Sequence, residues 1–124
     1  MPEKVDWEPF RALAQRVLRH GAPLELTDDV LALLLRTARE VAISNAEQAL
    51  ATDAGARELI EECARRIKDG SWRLMRALHR MYRHQDAGDY DSARQEMRDV
   101  LAVEVVPFYR ETAQGQLDDM ADEP

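Results

Sequence analysis

The sequence predicts an all-α fold, a compact single-domain bundle of about five helices ending in a helical hairpin. Three observations carry this. Apolar residues recur at three- and four-residue intervals over long stretches, no segment alternates with a period of two between turn signals, and glycine and proline number only five each in 124 residues. At this length one core suffices, because folding buries roughly two-thirds of the surface that the unfolded chain exposes. Residues 1–124 are therefore expected as one domain, with a frayed tail over 118–124.

Asp6 stands as N-cap before a first helix over about 7–19, where Trp7, Phe10, Ala14, Val17 and Leu18 share one side and Gly21 supplies the stop. After "APLEL", Thr27 caps a second helix over about 28–42, and Leu26 is placed to staple onto Leu31. Val30, Leu31, Leu33, Leu34, Leu35, Ala38, Val41 and Ala42 wrap more than half of its circumference, which predicts a central helix with Arg36 and Arg39 on the wet side. A short helical turn near 45–50 leads to a third helix over about 54–69, whose Ala56, Leu59, Ile60, Cys63 and Ile67 fall within an arc of about 100°. Gly70 and Ser71 read as a break before a fourth helix over about 72–86. "DAGDYDSA" then turns the chain into a fifth over about 90–117, with Tyr90, Ala93, Met97, Val100, Leu101, Val105 and Phe108 as its stripe. Pro107 removes a backbone hydrogen bond and crowds the preceding turn, so a kink is expected at 103–107. "GDYDSARQEM" resembles the turn and second helix of a tetratricopeptide unit, but it occurs once and such units need about three neighbours, so it reads as an ordinary hairpin.

With 45% hydrophobic and 33% charged residues, the composition is that of a soluble globular domain. No run of about 18 apolar residues occurs and "MPEKVDWEPF" lacks the parts of a secretion signal, which implies a cytosolic protein. The single cysteine, Cys63, has no partner for an internal disulfide, in keeping with a reducing compartment. The net charge of -7 is unevenly placed: residues 1–19 sum to +1, 20–64 to -6, 65–83 to +6 and 84–124 to -8. An acidic chain repels nucleic acid, so any binding of that kind falls to the one basic segment.

Candidate chemistry is sparse. Cys63 lies mid-stripe among Leu59, Ile60 and Ile67, the position of a small buried hydrophobe rather than an accessible nucleophile. His79 and His84 are five apart, off one helix face, and no paired-cysteine, HExxH or calcium-loop pattern occurs, so neither metal nor cofactor is expected. "AREVAISNAEQAL" resembles the start of a helix-turn-helix, but Gln48 falls where a buried aliphatic residue is needed. Its would-be recognition helix carries Glu47 and Asp53 with no basic residue before Arg57. Glu104 falls in phase with Ala93, Met97, Val100 and Leu101; it either pairs with a basic or hydroxyl group from a neighbouring helix, or is a raised-pKa acid in a pocket. With no nucleophile, base or metal constellation, the chain is read as non-enzymatic.

The basic segment holds the one distinctive surface. With Arg73 at 0° on the helix wheel, Arg76, Arg80 and Arg83 fall at about 300°, 340° and 280°, while Leu74, Leu78, Met81, Tyr82 and Met75 occupy about 80° to 200°. The arginines are thus expected to face away from the core, with Trp72 and His79 at the seam and Trp72 within cation-aromatic reach of Arg76. Such a stripe meets water, the protein's own acids, another protein, or a phosphate-bearing ligand.

From "LRTAREVAIS" through "RRIKDGSWRLMRALHRMYRHQDAGDYDSARQEMRDVLAVEVVPFYRETAQGQL" the chain resembles the DUSAM domain family, most specifically in "RALHRMYR", "GDYDSARQEM" and "LAVEVVPFYR". The resemblance implies a stand-alone bacterial protein of a kind found in many copies in myxobacteria, and carries over no catalytic or binding residue. Many copies suit partner-specific binding, as in regulatory or toxin-neutralising proteins. The expectation is a regulatory interaction module that binds an acidic protein through Arg73, Arg76, Arg80, Arg83, Trp72 and His79, with nucleic-acid or anionic-ligand binding, or an immunity role, as alternatives. No membrane association is expected, and self-association is left open.

Overall fold

In the computed structural model, which describes residues 5–124, every regular element is helical and no strand occurs among those residues. The chain divides into two units, one reaching through Ile67 and the other beginning at Lys68.

In the first unit, Asp6 Oδ1 accepts the Glu8 N–H at 3.1 Å, and α1 (Glu8–Ala14) runs straight into a π-helical turn over Gln15–Arg19. Trp7, Phe10, Leu13, Ala14 and Val17 are buried there, and Gly21 leaves the helix with φ +68. Thr27 caps α2 (Asp28–Glu40), its hydroxyl accepting the Val30 N–H at 3.3 Å. This helix is less enclosed than its composition predicts. Leu34, Thr37 and Ala38 are buried, whereas Val30, Leu31, Leu33 and Leu35 are half-buried and Ala42 is exposed. Thr37 is tolerated because its hydroxyl donates to the Leu33 carbonyl at 2.9 Å.

Beyond α2 the chain reverses through Ala42, at φ +66, with Ile43 N–H donating to the Ala38 carbonyl and Ala42 N–H to that of Arg39, at 2.8 and 3.1 Å. That is the bonding of a Schellman end, with alanine where glycine is usual. Arg66 reaches back to the same terminus and donates to the carbonyls of Val41 and Ala42 at 2.9 and 3.1 Å. A second arginine, Arg57, donates to the carbonyl of Val17 at 3.4 Å. A single-turn helix, α3 (Ala46–Ala49), then precedes α4.

The break expected at Gly70 is absent: α4 runs without interruption from Asp53 to Asp86. Its buried positions explain why. Ala56, Cys63, Gly70 and Ala77 recur every seven residues, as do Ile60, Ile67, Leu74 and Met81, giving one stripe of alternating small and large side chains. Gly70 is the narrowest point of that stripe. A Cβ there would lie 2.5 Å and 2.6 Å from Cδ2 and Cε2 of Tyr109 and 2.9 Å from Glu104 Oε1. The glycine serves close packing, at a helix-propensity cost of about 1 kcal/mol.

In the second unit, Gly88 (φ +75) turns the chain and Asp89 caps α5 (Tyr90–Val103), accepting the Ser92 N–H and hydroxyl at 3.0 and 2.6 Å. The long fifth helix expected over 90–117 is two helices. Extended residues at Glu104 and Val106 separate α5 from α6 (Pro107–Asp119), and Pro107 takes the first position of α6, where its missing N–H costs nothing. The interruption resets the helical phase. Val106, Tyr109 and Ala113 are buried in place of the expected Val105, which is exposed, and Phe108, which is half-buried. Arg110 donates to the carbonyls of Leu101 and Glu104, and Arg94 to those of Met120 and Glu123, so the ends of α5 and α6 are also held by arginine.

Candidate interaction face on the long helix

The C-terminal half of α4 carries every residue of the predicted stripe, but its rotation differs from the wheel by about 60°. Gly70, Leu74, Ala77 and Met81 mark the buried line. Arg73 and Arg80 border that line and turn toward the acids of α5 and of the α5–α6 junction. Arg73 Nη1 donates to Glu104 Oε1 at 2.6 Å, and Arg80 Nε donates to Glu96 Oε1 at 2.8 Å, while His84 Nε2 lies 3.3 Å from Glu96 Oε2. The Glu104 side chain is only 1% exposed, so its charge is answered almost wholly by Arg73 and by the N–H groups of Val105 and Val106, which donate to Oε2. Of the two readings of Glu104, the structure shows the paired one. Arg80 is exposed as expected and Arg73 is half-buried, and both meet the protein's own acids, Glu96 and Glu104, rather than a free surface.

Arg76 and Arg83 differ. Both are exposed, and neither has a hydrogen-bond or ion-pair partner among the described residues. Beside them lie side chains that the wheel assigned to the core. Met75 and Tyr82 are 53% and 50% exposed, next to Trp72 at 54% and the exposed His79. No cation-aromatic contact joins Trp72 to Arg76 among the described residues. On this half of α4, Tyr82, Met75, His79, Trp72, Arg83 and Arg76 fill one outward arc of about 120°. A shallow depression lined by Asp69, Trp72, Arg73, Arg76 and Arg80 runs along its edge.

The signal that would have fixed this phase is the seven-residue recurrence at 60, 67, 74 and 81, which passes through Gly70 without a shift. A break at Gly70 conceals it, and freed Met75 and Tyr82 to be read as core. Aromatic and sulfur-bearing side chains beside unpaired guanidinium groups are the chemistry of protein contact. Cys63 is fully buried, and desolvation pushes its thiol up to about 12, which keeps it from acting as a nucleophile at neutral pH. Among the described residues no cluster of three His, Cys, Asp or Glu side chains is placed to hold a metal ion, and no helix is long and apolar enough to cross a membrane.

Comparison with known proteins gives one match: a family model described as "Protein of unknown function (DUF2379)" fits residues 5–120. No curated protein and no solved structure matches the chain.

Proposed function

We propose, for a chain that belongs to the DUF2379 family of proteins of unknown function, that it is a non-enzymatic helical module that binds an acidic protein through the outer face of α4. The observation that carries this is the exposure of Trp72, Met75 and Tyr82 on one arc with Arg76 and Arg83, two cations with no acid of the described residues set against them. Large apolar groups supply desolvated contact area, and guanidinium groups select carboxylates bidentately. Arg73 and Arg80, already committed to Glu104 and Glu96, leave too little free positive charge on this acidic chain for a polyanion, which disfavours the nucleic-acid reading. Within the family we take the chain as a DUSAM domain of the myxobacterial kind, working in the cytosol in a regulatory role, on the strength of "RALHRMYR", "GDYDSARQEM" and "LAVEVVPFYR".

The test is affinity capture from nuclease-treated host lysate, comparing wild type with Arg76→Glu/Arg83→Glu, which spares the internally paired arginines. A protein held by wild type and lost by the variant, then purified and titrated against both with the same outcome, supports the reading. Equal capture by both proteins overturns it.

A further inference from the structure

The outward side chains Trp72, Met75, His79 and Tyr82 follow one another at intervals of three, four and three residues. That is the spacing of the two apolar positions in a heptad, repeated twice, so α4 carries a second seam beside its buried one, about 15 Å long. The residues flanking this seam decide what fits it. On one flank, at seven-residue intervals, stand Asp69, Arg76 and Arg83; on the other stand Ser71, Leu78 and Gln85.

We infer that the occupant of this face is a second copy of the same chain, with the two α4 helices antiparallel about a two-fold axis between Met75 and His79. This rests on the reading of the face as a protein interface, and names the acidic protein it takes. In an antiparallel pair each flank meets its own counterpart, so a self-complementary flank must carry opposite charges at symmetric positions. This one does. When Trp72 packs on Tyr82 of the second copy and Met75 on His79 of the second copy, Asp69 falls opposite Arg83 of the second copy, twice over. Leu78, half-buried in the single chain, meets its own equivalent across the axis on the other flank. Arg76 faces its own equivalent, one like-charge pair against two attractive ones, with long exposed side chains free to turn into water. A parallel pair would set Asp69, Arg76 and Arg83 against Ser71, Leu78 and Gln85, which offer no charge in return. Two heptads form a small interface, so the dimer is expected to be a reversible one.

Sedimentation velocity on the full chain from about 1 to 500 µM reads this directly, because a reversible dimer depends on protomer concentration. Wild type is expected to pass from monomer to dimer over that range. Arg83→Glu and Asp69→Lys, each alone, set like charges across the seam and weaken the dimer by about tenfold or more. An equimolar mixture of the two variants regains wild-type strength, because the introduced lysine then faces the introduced glutamate while the untouched Asp69 and Arg83 face each other. Arg76→Glu exchanges one like-charge pair for another and leaves the dimer within about threefold, whereas an unrelated acidic partner would lose affinity with it. Since Asp69 also interacts within its own chain, a second measurement avoids it: Trp72→Cys and Tyr82→Cys, mixed and oxidised, cross-link to each other faster than either does to itself. A wild type that stays monomeric throughout, a mixture that fails to recover, or cross-linking without that preference overturns the inference. If the chain is monomeric yet a captured protein still depends on Arg76 and Arg83, the interface reading stands with another occupant; if capture is also insensitive, both fall.

Discussion

Arg73 and Glu104, 31 residues apart, form an ion pair of 2.6 Å in which the carboxylate is buried and the guanidinium lies about one-third exposed. The pair fixes the interruption between α5 and α6. One carboxylate oxygen takes the arginine while the other accepts the N–H groups of Val105 and Val106, which the extended junction and the start of α6 would otherwise leave unbonded. Removing the cation strands a buried charge, so Arg73→Met is expected to cost about 2 kcal/mol, tempered by the exposure of Arg73. Glu104→Gln keeps an acceptor for the two N–H groups and costs about 1 kcal/mol. Urea unfolding of the two variants checks the order; equal stability of Arg73→Met and wild type would contradict it.

Gly70→Ala tests the close approach of α4 to Tyr109. Alanine is the better helix former by about 1 kcal/mol, but its methyl group collides with the ring, and overpacking costs about 1 to 3 kcal/mol. Net destabilisation is expected. A rise in melting temperature would show that Tyr109 moves aside without penalty.

Ala42→Gly goes the other way. The residue is exposed and held at φ +66, so glycine relieves the left-handed strain without loss of packing and stabilises by about 1 kcal/mol. Chemical denaturation at equal slope is the measurement.

Cys63 is expected to resist a thiol reagent in the native protein and to react at the unfolded rate in denaturant, as burial and its raised pKa both require. Native labelling as fast as that of unfolded chain would place it at the surface.

Two carboxylates contribute to the acid limb of stability. Hydrogen bonds from Arg65 and then Arg66 hold Glu62 below its ordinary 4.5, and the Ser92 hydroxyl and N–H hold Asp89 below 3.8. A depressed folded pKa contributes stability that is fully present above those ordinary values and is lost as pH falls through the lower folded ones. Glu62→Gln and Asp89→Asn are therefore expected to flatten the decline of melting temperature below about pH 4.5, with no change in its slope near neutrality.

How much of this was legible depends on which signals are local. The Thr27 cap and the buried run Ala56, Leu59, Ile60, Cys63 and Ile67 follow from short-range chemistry, and the structure agrees, while Asp6 bonds the Glu8 N–H from one residue before the N-cap, which is Trp7. Gly70 and Pro107 misled in opposite directions for one reason: each residue's effect is set by what stands across from it. Glycine inside a helix looks like a stop until a tyrosine ring fills the space of its absent side chain. Proline inside an apolar pattern looks like a kink until a buried glutamate satisfies the backbone on its N-terminal side and lets a new helix begin. The interaction face suffered from the first error, because the assumed break freed Met75 and Tyr82 from the phase that places them outside.

The arginines at the helix ends carry a further consequence, for the order in which the first unit acquires its structure. Arg57 serves a carbonyl 40 residues earlier in the chain, and Arg66 one 25 residues earlier. Helices as short as α1 and α2 are marginal by themselves in water. During synthesis the Val17, Val41 and Ala42 carbonyls emerge well before the arginine side chains that reach back to them, and are expected to stay bonded to water until the first turns of α4 are made. The last helix of the unit thus completes the first two, and folding up to Ile67 is expected as one late, concerted event rather than the accretion of helices in turn.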